Sequence, residues 1–270
     1  MKFFVQITFE IGLCLVLIPE GWAQRSRFQN QNLSVHAGLG VANYSGDLNE
    51  NTARYSRPAV SLGVNYQILP HVAARGEFRI YQLFGSQVGT PNFTNNLSFR
   101  STNPDAWLGV ELSALPANRP AGFNAGLYTG IGLTHLSPKA PSQNGWVLLP
   151  PLRTEGVSYT QVAGVVPFGL VLTYRFSPKY ALQADLSYTY SLSDYLDDVS
   201  TVYPDPDLLP SSLARALSDR RPELGLSPNQ PGFPRGNPNS SDSYILAQLK
   251  LKRYLTLTNR QYRRSLRCLK

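Results

Sequence analysis

Apolar residues recur at every second position in eight stretches of the chain. Leu33, Val35, Ala37, Leu39 and Val41 alternate with Ser34, His36, Gly38 and Gly40. Val60, Leu62, Val64, Tyr66 and Ile68 alternate with Ser61, Gly63, Asn65 and Gln67. In a third stretch Ala74, Phe78, Ile80 and Phe84 oppose Arg75, Glu77, Arg79 and Tyr81, and in a fourth Ala106, Leu108, Val110 and Leu112 oppose Trp107, Gly109, Glu111 and Ser113. The fifth sets Phe123, Ala125, Leu127, Ile131 and Leu133 against Asn124, Gly126, Tyr128, Gly130 and Gly132. The sixth sets Val162, Val166, Phe168, Leu170 and Leu172 against Gln161, Ala163, Gly169 and Thr173, with Pro167 marking a bulge or bend. The seventh sets Leu182, Ala184, Leu186, Tyr188 and Tyr190 against Gln183, Asp185, Ser187 and Thr189; the eighth sets Ile245, Ala247, Leu249 and Leu251 against Gln248, Lys250 and Lys252. A period of two over such lengths predicts strands with one apolar face.

The connections alternate in length. Short ones fall near Leu69 to His71, Leu115 to Pro120 and Phe176 to Lys179; long ones fall at Ser45 to Arg57, Gly85 to Asp105, Leu136 to Tyr159 and Ser193 to Ser243. An even number of strands of about ten residues, with short turns on one side and long loops on the other, predicts an all-β, eight-stranded antiparallel transmembrane β-barrel with short periplasmic turns and long extracellular loops. The alternation alone also fits a soluble barrel or sandwich with its faces reversed. Aromatic positions favour the membrane. Tyr66, Tyr174 and Tyr180 stand beside short turns, and Tyr188, Tyr190 and Phe84 stand near long loops, where two interfacial girdles would lie. Arg75, Arg79, Lys250 and Lys252 are expected to pair with Glu77, Glu111 and Asp185 inside a lumen that eight strands leave just wide enough for their own side chains. Open diffusion of solutes is not expected.

The chain has 270 residues. Met1, Lys2 and an apolar run through Ile18, followed by Gly21-Trp22-Ala23, read as a secretory signal peptide over residues 1–23. The barrel is expected over 24–256 and a basic periplasmic tail over 257–270. The net charge of +8 first suggests an acidic partner such as nucleic acid. It is concentrated at the end, however. Lys250, Lys252, Arg253, Arg260, Arg263, Arg264, Arg267 and Lys270 follow Asp242 with no further acid. With an export signal at the other end, the expected location is the outer membrane of a Gram-negative bacterium, the expected contact is outer-membrane lipid, and nucleic acid is not an expected partner. Without Cys14, Cys268 is the only cysteine, so neither an internal disulfide nor a cysteine zinc site is available. His36, His71 and His135 lie far apart, in no ligand-like spacing. No glycine-rich phosphate loop is present, and no cofactor is expected.

Two segments invite chemistry. Asp194, Asp197 and Asp198, with Asp205 and Asp207, offer oxygen ligands for calcium, but not at EF-hand spacing. The ordinary alternative is that these Asp side chains cap turns while Tyr195 and Leu196 dock the loop on the barrel mouth. Leu208 to Leu217 has helix-like apolar spacing, so the loop is expected to carry a short helix and act as a lid or partner surface. His135-Leu136-Ser137 places a base near a nucleophile at the outer end of the fifth strand, as small lipid A deacylase barrels do. Pro138 follows directly and no partnering acid is evident. No metal site and no catalytic residues are assigned.

Several segments resemble a Bacteroidota family of outer-membrane barrels that includes the PorG-like barrel subunit of the type IX secretion system. They are Tyr44-Ser45-Gly46-Asp47-Leu48, Leu97-Ser98-Phe99-Arg100-Ser101, Gly145-Trp146-Val147, Leu149-Pro150-Pro151-Leu152-Arg153-Thr154-Glu155-Gly156, Val166-Pro167-Phe168-Gly169 and Asp194-Tyr195-Leu196-Asp197-Asp198-Val199-Ser200. The resemblance spans nearly the whole chain after residue 23, and its last segment is the most specific. It implies a non-enzymatic outer-membrane barrel that anchors or stabilises secretion and gliding machinery, with periplasmic ring proteins as partners. The alternatives are an orphan surface-binding barrel and a lipid A-modifying hydrolase. The candidate binding positions are Gly46, Asp47, Thr154, Glu155, Asp194, Tyr195, Leu196, Asp197 and Asp198.

Overall fold

The computed structural model describes residues 32–48, 55–117, 121–143, 145–238 and 241–255. The expected signal peptide and the basic tail lie outside the described residues. The barrel strands are β1 (Leu33–Ser45), β2 (Arg57–Leu69), β3 (Val72–Ser86), β4 (Ser98–Ser113), β5 (Gly122–His135), β8 (Val162–Arg175), β9 (Tyr180–Ser191) and β10 (Ser243–Leu255). A hairpin, β6 (Lys139–Ser142) and β7 (Gly145–Leu148), rises from the loop between β5 and β8. Each barrel strand pairs antiparallel with its neighbour in chain order, and β1 pairs with β10 from Leu33↔Leu255 to Ser45↔Ser243. The eight-stranded sheet is thereby closed, and no barrel strand keeps an unpaired edge.

The two faces decide between membrane and water. Leu39, Leu108 and Ile131 point outward at 71%, 72% and 74% exposure, whereas Arg75, Arg79 and Lys250 point inward at 1%. A water-soluble barrel would have these faces exchanged. An apolar exterior on a closed sheet satisfies every backbone group internally, as a bilayer demands. Among the described residues no helix is long and apolar enough to cross a membrane; the crossing elements are strands. Aromatic side chains border the apolar band. Tyr66, Phe123 and Tyr174 are exposed toward the short turns, with the Phe123 and Tyr174 rings 4.6 Å apart, and Tyr188, Tyr190 and Phe168 are exposed toward the long loops.

Inside, the expected ion pairs form and extend further. Arg75 donates to Glu77 (2.6 Å), Glu111 (3.0 Å) and Asp185 (2.6 Å) and lies 4.0 Å over the Tyr128 ring. Lys250 reaches Glu77 (2.5 Å) and Asp185 (3.1 Å), and Lys252 approaches Glu111 at 3.8 Å. His36 Nε2 lies 3.1 Å from Glu77. Arg79 forks onto Asp105 (2.8 and 2.7 Å), which also accepts from Tyr244 Oη at 2.7 Å. Trp107 and Tyr128 stack at 5.1 Å and fill the middle. Gly169 makes room for that stack, because a Cβ there would meet Tyr128 at 2.2 Å. The cross-section is filled by side chains and the charges cancel pairwise, which offsets part of the cost of burying them.

Three expectations are corrected. The fourth strand begins at Ser98, so Ser98 to Asp105 is strand and not loop, and Leu97-Ser98-Phe99-Arg100-Ser101 enters the barrel instead of preceding it. These residues rise above the apolar band. Their outward positions Arg100, Thr102 and Pro104 are polar or small, and the apolar alternation that marks a strand is lost. Pro167 causes no bulge but interrupts the ladder: Pro167 and Val166 have no β5 partner, while the register with β5 is the same on both sides (Thr129↔Phe168 and Gly132↔Val165) and the pairing with β9 is unbroken. The irregularity lies instead between Gln67 and Leu69 at the β2–β3 turn. The loop from Leu136 to Tyr159 is not plain loop but contains the β6–β7 hairpin, which joins β4 through Arg100↔Lys139.

Candidate functional site: a carboxylate cluster under the loop cap

The β9–β10 loop does not hang free but folds into a cap on the long-loop end. Pro206–Leu208 forms a 3-10 turn capped by Asp205, whose side chain accepts from the Asp207 backbone N. Helix α1 (Ser212–Ser218) follows, with Ser211 Oγ accepting from Ala214 N at 3.1 Å. The sequence pattern placed one helix over Leu208 to Leu217. Pro210 separates the two pieces, because it has no N–H to donate and clashes with a preceding helical turn. Leu217 is buried with Ala140 and Leu149, so α1 packs on the hairpin region.

Beneath the cap, segments far apart in sequence converge. Tyr44 and Leu48 of the first motif, Leu97 and Phe99 of the second, and Leu196 and Val199 of the last share one buried apolar cluster. Tyr44 and Phe99 meet edge to face at 4.8 Å. Tyr44 Oη lies 2.5 Å from Asp197 Oδ2 and 3.0 Å from Asp242 Oδ1. The other oxygens of this pair fix the loop backbone: Asp197 Oδ1 accepts from Val199 N (2.8 Å), and Asp242 Oδ2 accepts from Leu196 N (3.0 Å). Gly46 lies against this group. A Cβ there would fall 2.0 Å from Asp242 Oδ1 and 2.2 Å from Tyr44 Oη, so any other residue must displace one of the two side chains.

A second half of the cluster is built on Thr154 and Glu155. Glu155 accepts from Ser200 N (2.9 Å), Thr201 N (3.1 Å) and Thr201 Oγ1 (2.6 Å). Arg235 donates to Glu155 (3.0 Å) and to the Asp198 carbonyl (2.5 Å). The Asp198 carboxylate accepts from Thr154 Oγ1 and from Tyr159 Oη (2.5 Å), and Tyr159 stacks on Tyr195 at 4.2 Å. Asp47 accepts from Asn237 N at 2.6 Å and so fixes the far end of the loop.

Burial dominates the electrostatics here. It pushes the carboxyls of Asp197 and Asp242 well above the usual range, reinforced by their mutual proximity and by Asp47 and Asp194. Burial raises Asp198 to about 6 even though Arg235, Thr154 and Tyr159 act against it. Asp194 is also raised to about 6, chiefly by burial, with Asp47 and Glu155 adding to the rise.

All nine candidate binding positions therefore fall in or beside one cluster. Sequence reasoning did not select Tyr44, Arg235 and Asp242 as site residues. Tyr44 lies inside the first resembling segment, and Asp242 is the last acid of the chain, directly before the final strand. Arg235 stands alone in a Pro- and Gly-rich stretch and carried no signal. Among the described residues no group of three or more His, Cys, Asp or Glu is arranged to hold a metal ion. The carboxylates of Asp197 and Asp198 are taken up by loop amides, hydroxyls and Arg235. His135 and Ser137 are not brought together. His135 faces outward, and Ser137 Oγ donates to the Thr102 carbonyl at 2.7 Å.

No protein-family model matches the chain, and no curated relative does. Among solved structures, Neisserial surface protein A aligns with a TM-score of 0.43 at 9% identity, over 83% of this chain and 97% of that one. The N-terminal β-barrel domain of Pseudomonas aeruginosa OprF aligns with a TM-score of 0.43 at 10% identity, over 84% and 100%. The Escherichia coli outer membrane protease OmpT aligns with a TM-score of 0.35 at 11% identity, over 86% and 99%. The barrel assignment itself follows from the strand pairing and faces of this chain.

Proposed function

We propose that this protein is a non-enzymatic outer-membrane barrel that serves as a structural anchor, with its short turns in the periplasm and its capped end outside. The observation that supports this reading is the doubly closed axis. The lumen is filled by the Arg75, Glu77, Glu111, Asp185 and Lys250 network, and the long loop is fastened over its mouth. Such a barrel is poorly built to pass solutes, and its one base–nucleophile candidate is disconnected. What remains for it to do is to hold a rigid surface in place on each side of the membrane.

The finer assignment, to the type IX secretion and gliding machinery, rests on the sequence resemblance. Four of the six resembling segments, those holding Tyr44, Phe99, Thr154 and Asp197, assemble the cluster under the cap. Gentle native extraction of the tagged protein, followed by mass spectrometry, tests it. Ring and translocon components well above an unrelated barrel control are the expected result. Recovery of the barrel alone would favour an orphan barrel whose cap binds a surface ligand.

A further inference from the structure

The hydrogen count at Tyr44 does not close with ordinary ionisation states. Its hydroxyl carries one proton, yet the oxygen faces two carboxylate oxygens, 2.5 Å away at Asp197 and 3.0 Å away at Asp242. One proton can lie along only one of these lines. The other would set two bare oxygens against each other inside a buried site, where an unmatched polar contact is costly. Asp197 and Asp242 are each 1% exposed, so bulk water does not reach the contact.

We propose that Asp242 keeps its proton in the folded protein and donates it to Tyr44, which donates in turn to an ionised Asp197, so that this retained proton latches the cap to the barrel rim. The distances set the direction. The short contact, at Asp197, has the length of a hydroxyl donating to a charged oxygen, and the longer one, at Asp242, that of a neutral pair. The latch sits where it has leverage. Asp242 ends the loop just before β10 and grips the Leu196 amide at the loop's beginning, while Asp197 organises the turn through Val199. Tyr44 belongs to β1 and ties both to the wall. Gly46 permits the approach.

The surroundings favour retention of the proton. Facing the pair are Asp47 from the β1–β2 loop and Asp194 from the same loop as Asp197, with Asp198 and, from the β5–β8 loop, Glu155 in the adjoining half of the cluster. Arg235 is the cation in this group, and it is committed to Glu155 and Asp198. In an opened cap, Asp242 would meet water and lose its proton near its ordinary value of about 4. Closure therefore takes up a proton. The contribution is complete in acid and ebbs as pH rises above about 4, until the raised carboxyl of the closed state itself ionises.

Hydrogen exchange on the full chain folded in detergent micelles tests this. Protection factors for the 193–200 segment, with the intrinsic pH dependence of exchange divided out, are compared for wild type and Asp242→Asn. Above about pH 7 Asp194 and Asp198, raised to about 6 in the closed state, are ionised in both closed and open states, so the pair dominates the remaining dependence. The wild-type protection factor should fall by up to about tenfold per pH unit there. Asp242→Asn supplies an amide donor that cannot titrate, and its protection should be flat. A flat wild-type profile, or a variant that follows the wild-type slope, would overturn the proposal. Infrared spectroscopy with isotope-labelled aspartate gives a second reading that holds even if the variant misfolds. The folded wild type at neutral pH should show a protonated aspartyl C=O band, and its absence would also overturn the proposal.

Discussion

The lumen and the rim solve the same problem, the burial of charge, in opposite ways. In the lumen Arg75, Arg79, Lys250 and Lys252 are matched one for one by Glu77, Asp105, Glu111 and Asp185, and each acid has a cation within 4 Å. Under the cap six carboxylates gather, those of Asp47, Glu155, Asp194, Asp197, Asp198 and Asp242, with Arg235 as the cation in salt-bridge contact among the described residues. The lumen is a balanced salt lattice spanning the wall; the rim is an acid-rich knot held by backbone amides, hydroxyls and, as proposed, a proton. Interactions of the first kind resist change until a member is removed. Those of the second kind respond to pH and to small steric changes.

The largest break should come in the lumen. Arg75→Met leaves Glu77, Glu111 and Asp185 without their shared partner and should cost about 3–5 kcal/mol, read as a lower urea midpoint for loss of the heat-modifiable band on gels. Next is the pH response of the rim. Asp198 is held at about 6 against an ordinary value near 4, so the closed cap binds its proton more tightly than the open one. Its contribution is full below about pH 4 and declines by about 3 kcal/mol as pH rises through 6, levelling off near pH 7. Limited proteolysis of the cap, with exposed loop sites of an unrelated barrel as reference, should follow that decline.

Gly46→Ala should cost about 1–3 kcal/mol, because its Cβ would displace Tyr44 or Asp242. The loss should be confined to the cap: cleavage within 193–243 accelerates while the barrel keeps its folded migration. The smallest effect is expected at the enzyme-like pair. Ser137→Ala removes one hydrogen bond to the Thr102 carbonyl, worth about 1 kcal/mol, and His135→Ala removes an outward-facing ring; the lipid A of cells carrying either variant should be unchanged. Altered acylation would instead revive the hydrolase reading.

The sequence exposed what the bilayer imposes. Outward Leu39, Leu108, Ile131 and Leu249 repeat at period two because each must meet lipid, and all eight barrel strands were legible from that rule. Legibility ended where the lipid ends. Ser98 to Asp105 is strand but lies beyond the apolar band, so neither face carries a hydrophobic signal, and Asp105, the partner of Arg79, was read as loop. The β6–β7 hairpin has four-residue strands, too short to display a period. At the rim, the motif residues were visible as segments but their meeting was not. Tyr44 and Asp197 are 153 residues apart, and their contact depends on barrel closure and loop folding together. Arg235 was invisible because one arginine in a loop has no spacing to read.

The closed axis is the central claim, and conductance across a planar bilayer tests it most directly. Purified barrel is inserted as wild type and as Gly46→Ala, whose cap is loosened but whose lumen is untouched. The expected result is no stable conductance step from either form, because the Arg75-centred network fills the lumen whether or not the cap is closed. Steady ohmic steps from the wild type would contradict the filled lumen, and steps from Gly46→Ala alone would show that the cap, and not the lumen, keeps the barrel shut.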